Sequence, residues 1–266
     1  MRRRLGTRWL ARGVWTAVLI VGACGRIGFD APIQNDLDDA GDAAQLDAGL
    51  AGLIHRYSFD GSGTDITDSV GHADGRGVNC RVSQGSISLM QGVSGDYIEF
   101  PPGLISGLSA VTFEVWLKWD GGDPRQRIFD FGNNNASGAG TSFFMLEPES
   151  GAGKLAAYVN FTSAASDPAR DLAAIDSNAL STVGVQHVAV TFDGRRLGLY
   201  LNGAPRIFTD SAPQSLSSID DRNNWLGRSQ FSRDPELDAI IHEFRIYDRA
   251  LTASEIAASF EQGANL

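Results

Sequence analysis

Histidine and cysteine are the residues here whose chemistry is easiest to recognise, because they bind metals and act as bases or nucleophiles. The four histidines are His55, His72, His187 and His242. Their spacing defines no Ser-His-Asp arrangement, and the chain has neither a G-x-S-x-G sequence nor a phosphate-binding glycine loop. His55 and His242, with no obvious third ligand, are more typical of hydrogen-bonded side chains on a sheet than of a metal site. Cys80 has no sequence-linked histidine, so we expect a small buried apolar residue.

The other cysteine, Cys24, follows a segment typical of an export signal. Five arginines and no acidic residue occur before it, and its apolar stretch, 14–23, is shorter than the roughly 20 residues that cross a bilayer. Val21-Gly22-Ala23-Cys24 resembles a bacterial lipobox, which implies cleavage before Cys24 and its lipidation, including palmitate. We predict that residues 1–23 are a lipoprotein signal peptide and that the lipid is the only membrane anchor. An ordinary signal peptide with an incidental cysteine is the alternative.

The next segment, residues 24–50, is predicted to be a flexible acidic tether behind the lipidated Cys24. From Gly25 to Leu50 it holds six Asp and one Arg and shows no apolar periodicity, so it cannot bury enough apolar surface to offset its ordering entropy. Gly25 rather than Asp after the cysteine implies export to the outer membrane or cell surface. The whole chain has a net charge of −10, which argues against nucleic-acid binding.

Residues 51–266 are predicted to form one all-β domain. Short alternating apolar segments recur between glycine-rich turns, as is typical of a sandwich or barrel. The clearest pattern covers 187–208, where Asp193-Gly194 and Asn202-Gly203 are hairpin turns between alternating strands. This block predicts a three-stranded meander. The other predicted strands are Leu53–Phe59, Ser86–Met90, Tyr97–Pro101, Val111–Trp119, Arg127–Phe131, Ser142–Leu146 and Lys154–Phe161.

A short helix is predicted near the carboxyl end. Thr252 and Glu255 have the spacing of a capping box, and Leu251 and Ile256 have that of a hydrophobic staple. Gly263 is a suitable C-terminal cap. Because a helix of this length is marginal alone, it must pack on the domain.

Several of these segments together resemble the LamG-like jelly-roll, or concanavalin A-like lectin/glucanase, superfamily over about Leu53 to Phe260. The most specific is Phe244-Arg245-Ile246-Tyr247-Asp248-Arg249-Ala250-Leu251, and Val111–Leu117 is similar to the family's tryptophan-containing strand. The resemblance implies a two-sheet antiparallel jelly-roll β-sandwich, to which the sequence adds a short C-terminal helix.

The resemblance also raises the question of calcium. The closing strand of relatives usually reads Gly-x-Ile-Asp-Glu, but here His242 replaces the Asp that can help to hold Ca²⁺. Imidazole is a poor ligand for this hard cation. Asp60, Asp65 and Asp68, after the first strand, remain candidate metal ligands. The favoured interpretation is that these carboxylates only cap turns.

Hydrolase activity is not expected. Glu236-Leu237-Asp238-Ala239-Ile240 resembles the start of the E-x-D-x-E motif of laminarinase-type glycoside hydrolases. Ile240 and Ile241 stand where the acid/base carboxylate belongs, and a glycosidase needs two carboxylates. We therefore expect no enzyme.

Lectin-like sandwiches bind sugars through aromatic rings and hydrogen-bonding side chains. The candidate ligand-binding residues are Trp116, Tyr158, Trp225, Glu114 and Asn134. Alternation along Val111–Trp119 places Trp116 beside polar neighbours, on a concave face or beneath a covering loop. A core or structural tryptophan is the favoured interpretation of Trp116. We predict a domain that binds a cell-surface or extracellular glycan. The alternatives are a module that binds an extracellular protein and, less favoured, a degenerate glycoside hydrolase.

Overall fold

The computed structural model describes residues 51–92, 95–162 and 171–264. The predicted signal peptide, the lipidated Cys24 and the tether lie outside the described residues. In the described part no helix is long and apolar enough to cross a membrane. The strands are β1 (Leu53–Tyr57), β2 (Asp65–Ile66), β3 (Gly75–Val78), β4 (Val82–Ser83), β5 (Ser86–Leu89), β6 (Tyr97–Phe100), β7 (Val111–Trp119), β8 (Phe129–Asn134), β9 (Gly140–Glu147), β10 (Ala156–Asn160), β11 (Leu172–Ile175), β12 (Gln186–Phe192), β13 (Arg196–Leu201), β14 (Ala204–Asp210), β15 (Asn223–Leu226) and β16 (Ala239–Tyr247), and the helix is α1 (Ala253–Gln262).

The strands form two antiparallel sheets. Sheet A has the order β14-β13-β12-β7-β16-β5-β4, with β1 also paired to β16. Sheet B has the order β11-β10-β9-β8-β15-β6-β3-β2. The predicted fold, an all-β two-sheet antiparallel jelly-roll sandwich with a short C-terminal helix, is confirmed.

The core lies between the two sheets and is rich in phenylalanine. The ring centroids of Phe113 in β7 and Phe129 in β8 are 4.4 Å apart, and Phe244 in β16 stacks on Phe113 at 6.1 Å. All three side chains are buried. They alternate with residues that face away from the core, so each strand of the sandwich presents a second, outer face.

The predicted meander is present as β12, β13 and β14. Val190 pairs with Leu199, and β14 is the edge strand of sheet A. Asn202 and Gly203 have φ values of 52° and 75°, as a two-residue hairpin turn of this hand requires.

Helix α1 begins at the predicted cap. The Thr252 amide donates to Oε2 of Glu255 (2.8 Å), and the Glu255 amide donates to Oγ1 of Thr252 (3.3 Å). Gly263 ends the helix with φ of 83°. Leu251 and Ile256 are buried together beside sheet A, so the helix packs as the sequence requires.

Helix α1 also covers part of the outer face of sheet A. There Trp116 is the structural tryptophan that its sequence context favours, and its candidacy as a ligand-binding residue is corrected. Only 4% of Trp116 is exposed. Its ring lies 4.3 Å from that of His187, which in turn stacks on Phe260 of α1. The Arg245 guanidinium lies over the Trp116 ring at 4.3 Å. Trp116 is therefore a packing residue that no sugar can reach while the helix is docked.

Glu114 is fully buried in the same place. Its Oε2 accepts hydrogen bonds from the Tyr247 hydroxyl (2.9 Å) and from the Ser259 hydroxyl of α1 (2.8 Å). The carboxylate ties the helix to the sheet, because burying it is tolerable only while these partners remain. The expectation that Glu114 contacts a ligand is corrected accordingly.

Candidate functional site

One row of directly paired residues crosses the outer face of sheet B. The members alternate along their strands with core residues or, for Arg76, with two glycines, so they point away from the sandwich interior. We call this the cross-strand row. Its members, from β2 to β11, are Asp65, Arg76, Glu99, Trp225, Asp130, Met145, Tyr158 and Ala173.

A cavity of about 350 Å³ opens at the Tyr158 end of this row. Tyr158, Met145 and Phe231 supply its apolar surface, and Arg125, Glu147 and Asp234 are among its polar lining residues. The Tyr158 side chain is partly buried, and burial together with the nearby Glu147 carboxylate raises the pKa of its hydroxyl. We call this cavity the Tyr158 cleft.

Arg127 organises the floor of the cleft by contacting three carboxylates. Its Nη1 lies 2.7 Å from Oε1 of Glu147, its Nη2 lies 2.7 Å from Oδ2 of Asp234, and its Nε lies 3.4 Å from Oδ2 of Asp130. Burial raises the pKa of Asp130 to about 7. The Arg127 charge acts to lower this pKa, but its effect is smaller than that of burial. Burial also raises the pKa of Glu147.

The loop of residues 229–234 stands over the middle of the row. The Gln230 amide donates to Oδ2 of Asp130 (2.9 Å), and its side chain donates to the Asn223 carbonyl (2.9 Å). The Phe231 ring packs edge-on against Phe143 of β9 at 5.7 Å. The loop therefore separates the Tyr158 cleft from the β15 side of the sheet.

Trp225 lies on that other side, beneath an arginine. The Arg228 guanidinium is 4.7 Å from the Trp225 ring and 4.5 Å from the Tyr97 ring. Trp225 is 6% exposed, so the surface offered to solvent here is the exposed Arg228 side chain supported by two rings.

The structure separates the sequence candidates. Tyr158 lies in the cleft, and Trp225 lies on the same row three strands away. Asn134 ends β8, pairs with Gly140 and does not line the cleft. Sequence reasoning missed the side chains that build the site, namely Arg127, Glu147, Phe231 and Asp234, because they occur on strand ends and an irregular loop where no period marks them.

The three candidate metal ligands do not converge. Asp68 accepts backbone amides from Arg56 (2.9 Å), Gly71 (3.0 Å) and Ala73 (2.9 Å). Burial acts to raise its pKa, but these bonds and His55 outweigh burial and lower the pKa to about 2. Asp60 and Asp65 are exposed in a separate hollow. Across residues 51–92, 95–162 and 171–264, no group of three or more His, Cys, Asp or Glu side chains is placed to hold a metal ion.

The remaining titratable candidates have structural roles. His55 donates from Nδ1 to Oδ2 of the ionised Asp68 (2.7 Å) and lies opposite Ile246, not His242. Cys80 is buried, as predicted, and its thiol donates to the Tyr97 carbonyl (3.2 Å). Burial raises the pKa of the thiol to about 11, which makes it unreactive at neutral pH.

Solved structures share this fold at low identity. Domain 4 of AbnA, a GH43 extracellular arabinanase from Geobacillus stearothermophilus solved with arabinotriose, is 22% identical with a TM-score of 0.61; the match covers 77% of this chain and 96% of that domain. The Trypanosoma rangeli sialidase, solved with sialic acid, is 16% identical with a TM-score of 0.61; the match covers 80% of this chain and 34% of the sialidase. This chain thus corresponds to about a third of that enzyme.

The sequence has no significant match among curated proteins. Residues 92–257 match the family model Laminin_G_3. This match, together with the two-sheet fold, shows that the chain belongs to the concanavalin A-like lectin/glucanases superfamily.

Proposed function

We propose that the domain is a non-catalytic carbohydrate-binding module whose ligand lies in the Tyr158 cleft. One observation carries the proposal: a partly buried tyrosine lies beside Met145 and Phe231 in a cavity of about 350 Å³ rimmed by charged side chains. An aromatic ring packs on the apolar face of a sugar, and charged groups bind its hydroxyls. The arabinotriose complex of a protein with this fold supports the proposal.

The carboxylates of the cleft support binding rather than hydrolysis. A glycosidase needs one carboxylate free as a nucleophile or base and a second as an acid. Three carboxylates line the cavity, those of Glu147, Asp171 and Asp234. Glu147 and Asp234 both contact Arg127 at 2.7 Å, so two of the three are held in ion pairs. We infer that the cleft holds sugar without cleaving it.

A glycan array with the full chain in detergent tests this function. Replacing Tyr158 by Ala should weaken binding of the best glycan roughly tenfold to a hundredfold, because burying an aromatic side chain contributes about 1.5–3 kcal/mol. Phe208→Ala, which removes an exposed aromatic residue from β14 of sheet A, should leave binding unchanged. An array on which no glycan binds, or equal binding by Tyr158→Ala, would refute the proposal.

A protein-binding module is the second candidate function. The loop before β12 presents Val183 and Val185 at 79% and 50% exposure, and exposed apolar side chains favour protein contacts. A chain that binds no glycan but binds an extracellular protein through this loop would replace the carbohydrate proposal.

The place of action that we propose is the cell surface. Residues 1–23 would direct export, and lipidated Cys24 would anchor the domain to the outer membrane or cell surface through the acidic tether of residues 24–50. This proposal is supported by the N-terminal sequence, in which an arginine-rich segment is followed by a short apolar stretch that ends in Val21-Gly22-Ala23-Cys24.

A further inference from the structure

We infer that the ligand is an extended neutral oligosaccharide, which occupies the Tyr158 cleft and a second subsite formed by Arg228, Trp225 and Tyr97. This inference rests on the proposed carbohydrate-binding function. It adds that one sugar unit does not fill the site and that Arg228 contacts a second sugar unit of the same oligosaccharide.

The geometry of the cross-strand row sets the minimum length of a ligand that contacts both subsites. Trp225 pairs with Asp130, Asp130 with Met145, and Met145 with Tyr158. Three strand spacings separate the two aromatic residues, a span of roughly 14 Å. A single sugar ring is too short to touch both, so a ligand that uses both must be a chain.

The second subsite is built to present hydrogen-bond donors. The Arg228 guanidinium is held at 4.5 and 4.7 Å from two rings, a cation–π arrangement that fixes its plane. Among the residues that the structure describes, Arg228 forms no ion pair. Its five N–H donors are therefore available to sugar oxygens.

Trp225 gives an independent reason to expect a ligand there. Its side chain is more than nine-tenths buried, and its indole Nε1 has no hydrogen-bond partner in the described parts of the chain. Buried donors are normally paired. The exposed Arg228 guanidinium lies over this ring, so a sugar hydroxyl bound beside the guanidinium can approach the indole.

The loop between the subsites determines the path that a bound oligosaccharide must take. Phe231 lines the Tyr158 cleft while Gln230 anchors the loop to Asp130. An oligosaccharide that joins the subsites must pass over this loop. Glu99 lies beside Trp225 in the row, and the protein is acidic overall, so a neutral chain is favoured over a polyanion.

Calorimetric titration with neutral oligosaccharides of one to six units, from the best glycan class on the array, tests the inference. For the full chain, affinity should rise roughly tenfold to a hundredfold between the shortest and longest ligands, as hydrogen bonds to a charged group would give. Arg228→Ala should remove this rise and leave affinity for a single unit unchanged. Arg228→Lys should keep only part of it, because the planar donor fork is lost.

Arg195→Ala, which removes an exposed arginine from the β12–β13 turn, is the matched control and should behave as wild type. Thermal unfolding of each variant checks that Arg228→Ala remains folded. Equal affinity for one and six units, an unchanged length dependence in Arg228→Ala, or tighter binding of a polyanionic series would overturn the inference while the carbohydrate-binding function stands. Binding of no glycan at all would overturn both.

Discussion

Asp130 is a carboxylate that the fold keeps away from water on the outer face of sheet B. Its Oδ1 has no hydrogen-bond partner in the described residues, while Oδ2 receives the Gln230 amide. A buried carboxylate with an unpaired oxygen favours its protonated form. The cleft is consequently built around a group whose charge changes near neutral pH.

Stability should depend on pH through this residue. The pKa of Asp130 is about 7 in the folded protein and about 3.9 in an unfolded chain. Between these values the folded state binds the extra proton, so raising the pH from about 4 to about 7 lowers the free energy of unfolding. Asp130→Asn cannot ionise and should lose this dependence.

Urea unfolding from about pH 4 to about pH 8 measures the effect. The stability of wild type relative to Asp130→Asn should fall across that range. Asp210→Asn, which changes an exposed carboxylate paired with Arg196, should show no such trend, because the pKa of Asp210 is lowered and its effect lies at more acidic pH. A constant difference between wild type and Asp130→Asn would contradict the assignment.

Alternation along a strand showed which side chains share a face, but not what lies on that face. Tyr158 was predicted to contact a ligand and does line a cavity. Trp116 was a candidate by the same logic, yet its ring lies against His187 and beneath the Arg245 guanidinium, residues 71 and 129 positions later in the chain. The residue pattern within one strand does not predict which residues, remote in the sequence, pack over its outer face.

At the level of elements, the capping box of α1 is a local feature with a distant effect. The helix holds Ser259 against Glu114 and stacks Phe260 on His187, the ring that packs on Trp116. Replacing Thr252 by Ala removes the side-chain acceptor for the Glu255 amide. Caps of this kind contribute about 1 kcal/mol, so the free energy of unfolding should fall by about that amount in urea titrations.

Glu261→Ala is the matched control, since it truncates an exposed side chain in the last turn of the same helix. Its effect should stay within about 0.5 kcal/mol, as is usual for surface positions. If the two variants lose equal stability, the cap does not hold the helix in place.

Sequence reasoning identified long, periodic elements better than short ones. The meander β12–β14, the nine-residue β7 and the capped helix all carry clear periods or cap residues. By contrast, β2 and β4 have two residues each, and β11 reads Leu-Ala-Ala-Ile, so none of them shows alternation. The 229–234 loop, which shapes the cleft, is held by contacts with Asp130 and Arg127, about 100 residues earlier in the sequence. No pattern within the loop itself predicts this position.

At the scale of the whole molecule, the two cysteines are expected to behave differently. Cys24→Ser should abolish incorporation of labelled palmitate in a bacterial host and release the protein from the membrane fraction. Cys80→Ala should remain labelled, because Cys80 is buried in the sandwich and its thiol is unreactive. Continued labelling of Cys24→Ser would exclude lipidation at that residue.

The position of β16 has a consequence for how the protein is made. This last strand lies in the middle of sheet A, with β7 on one side and β1 and β5 on the other, and it pairs Tyr247 with Leu53. Contacts of such long sequence separation form slowly, because closing the intervening loop costs entropy first. Sheet A therefore cannot be completed until β16 has been synthesised. A chain that ends before residue 239 leaves β14-β13-β12-β7 and β5-β4 as separate parts of sheet A and leaves β1 without its partner. Open strand edges of this kind aggregate or are degraded.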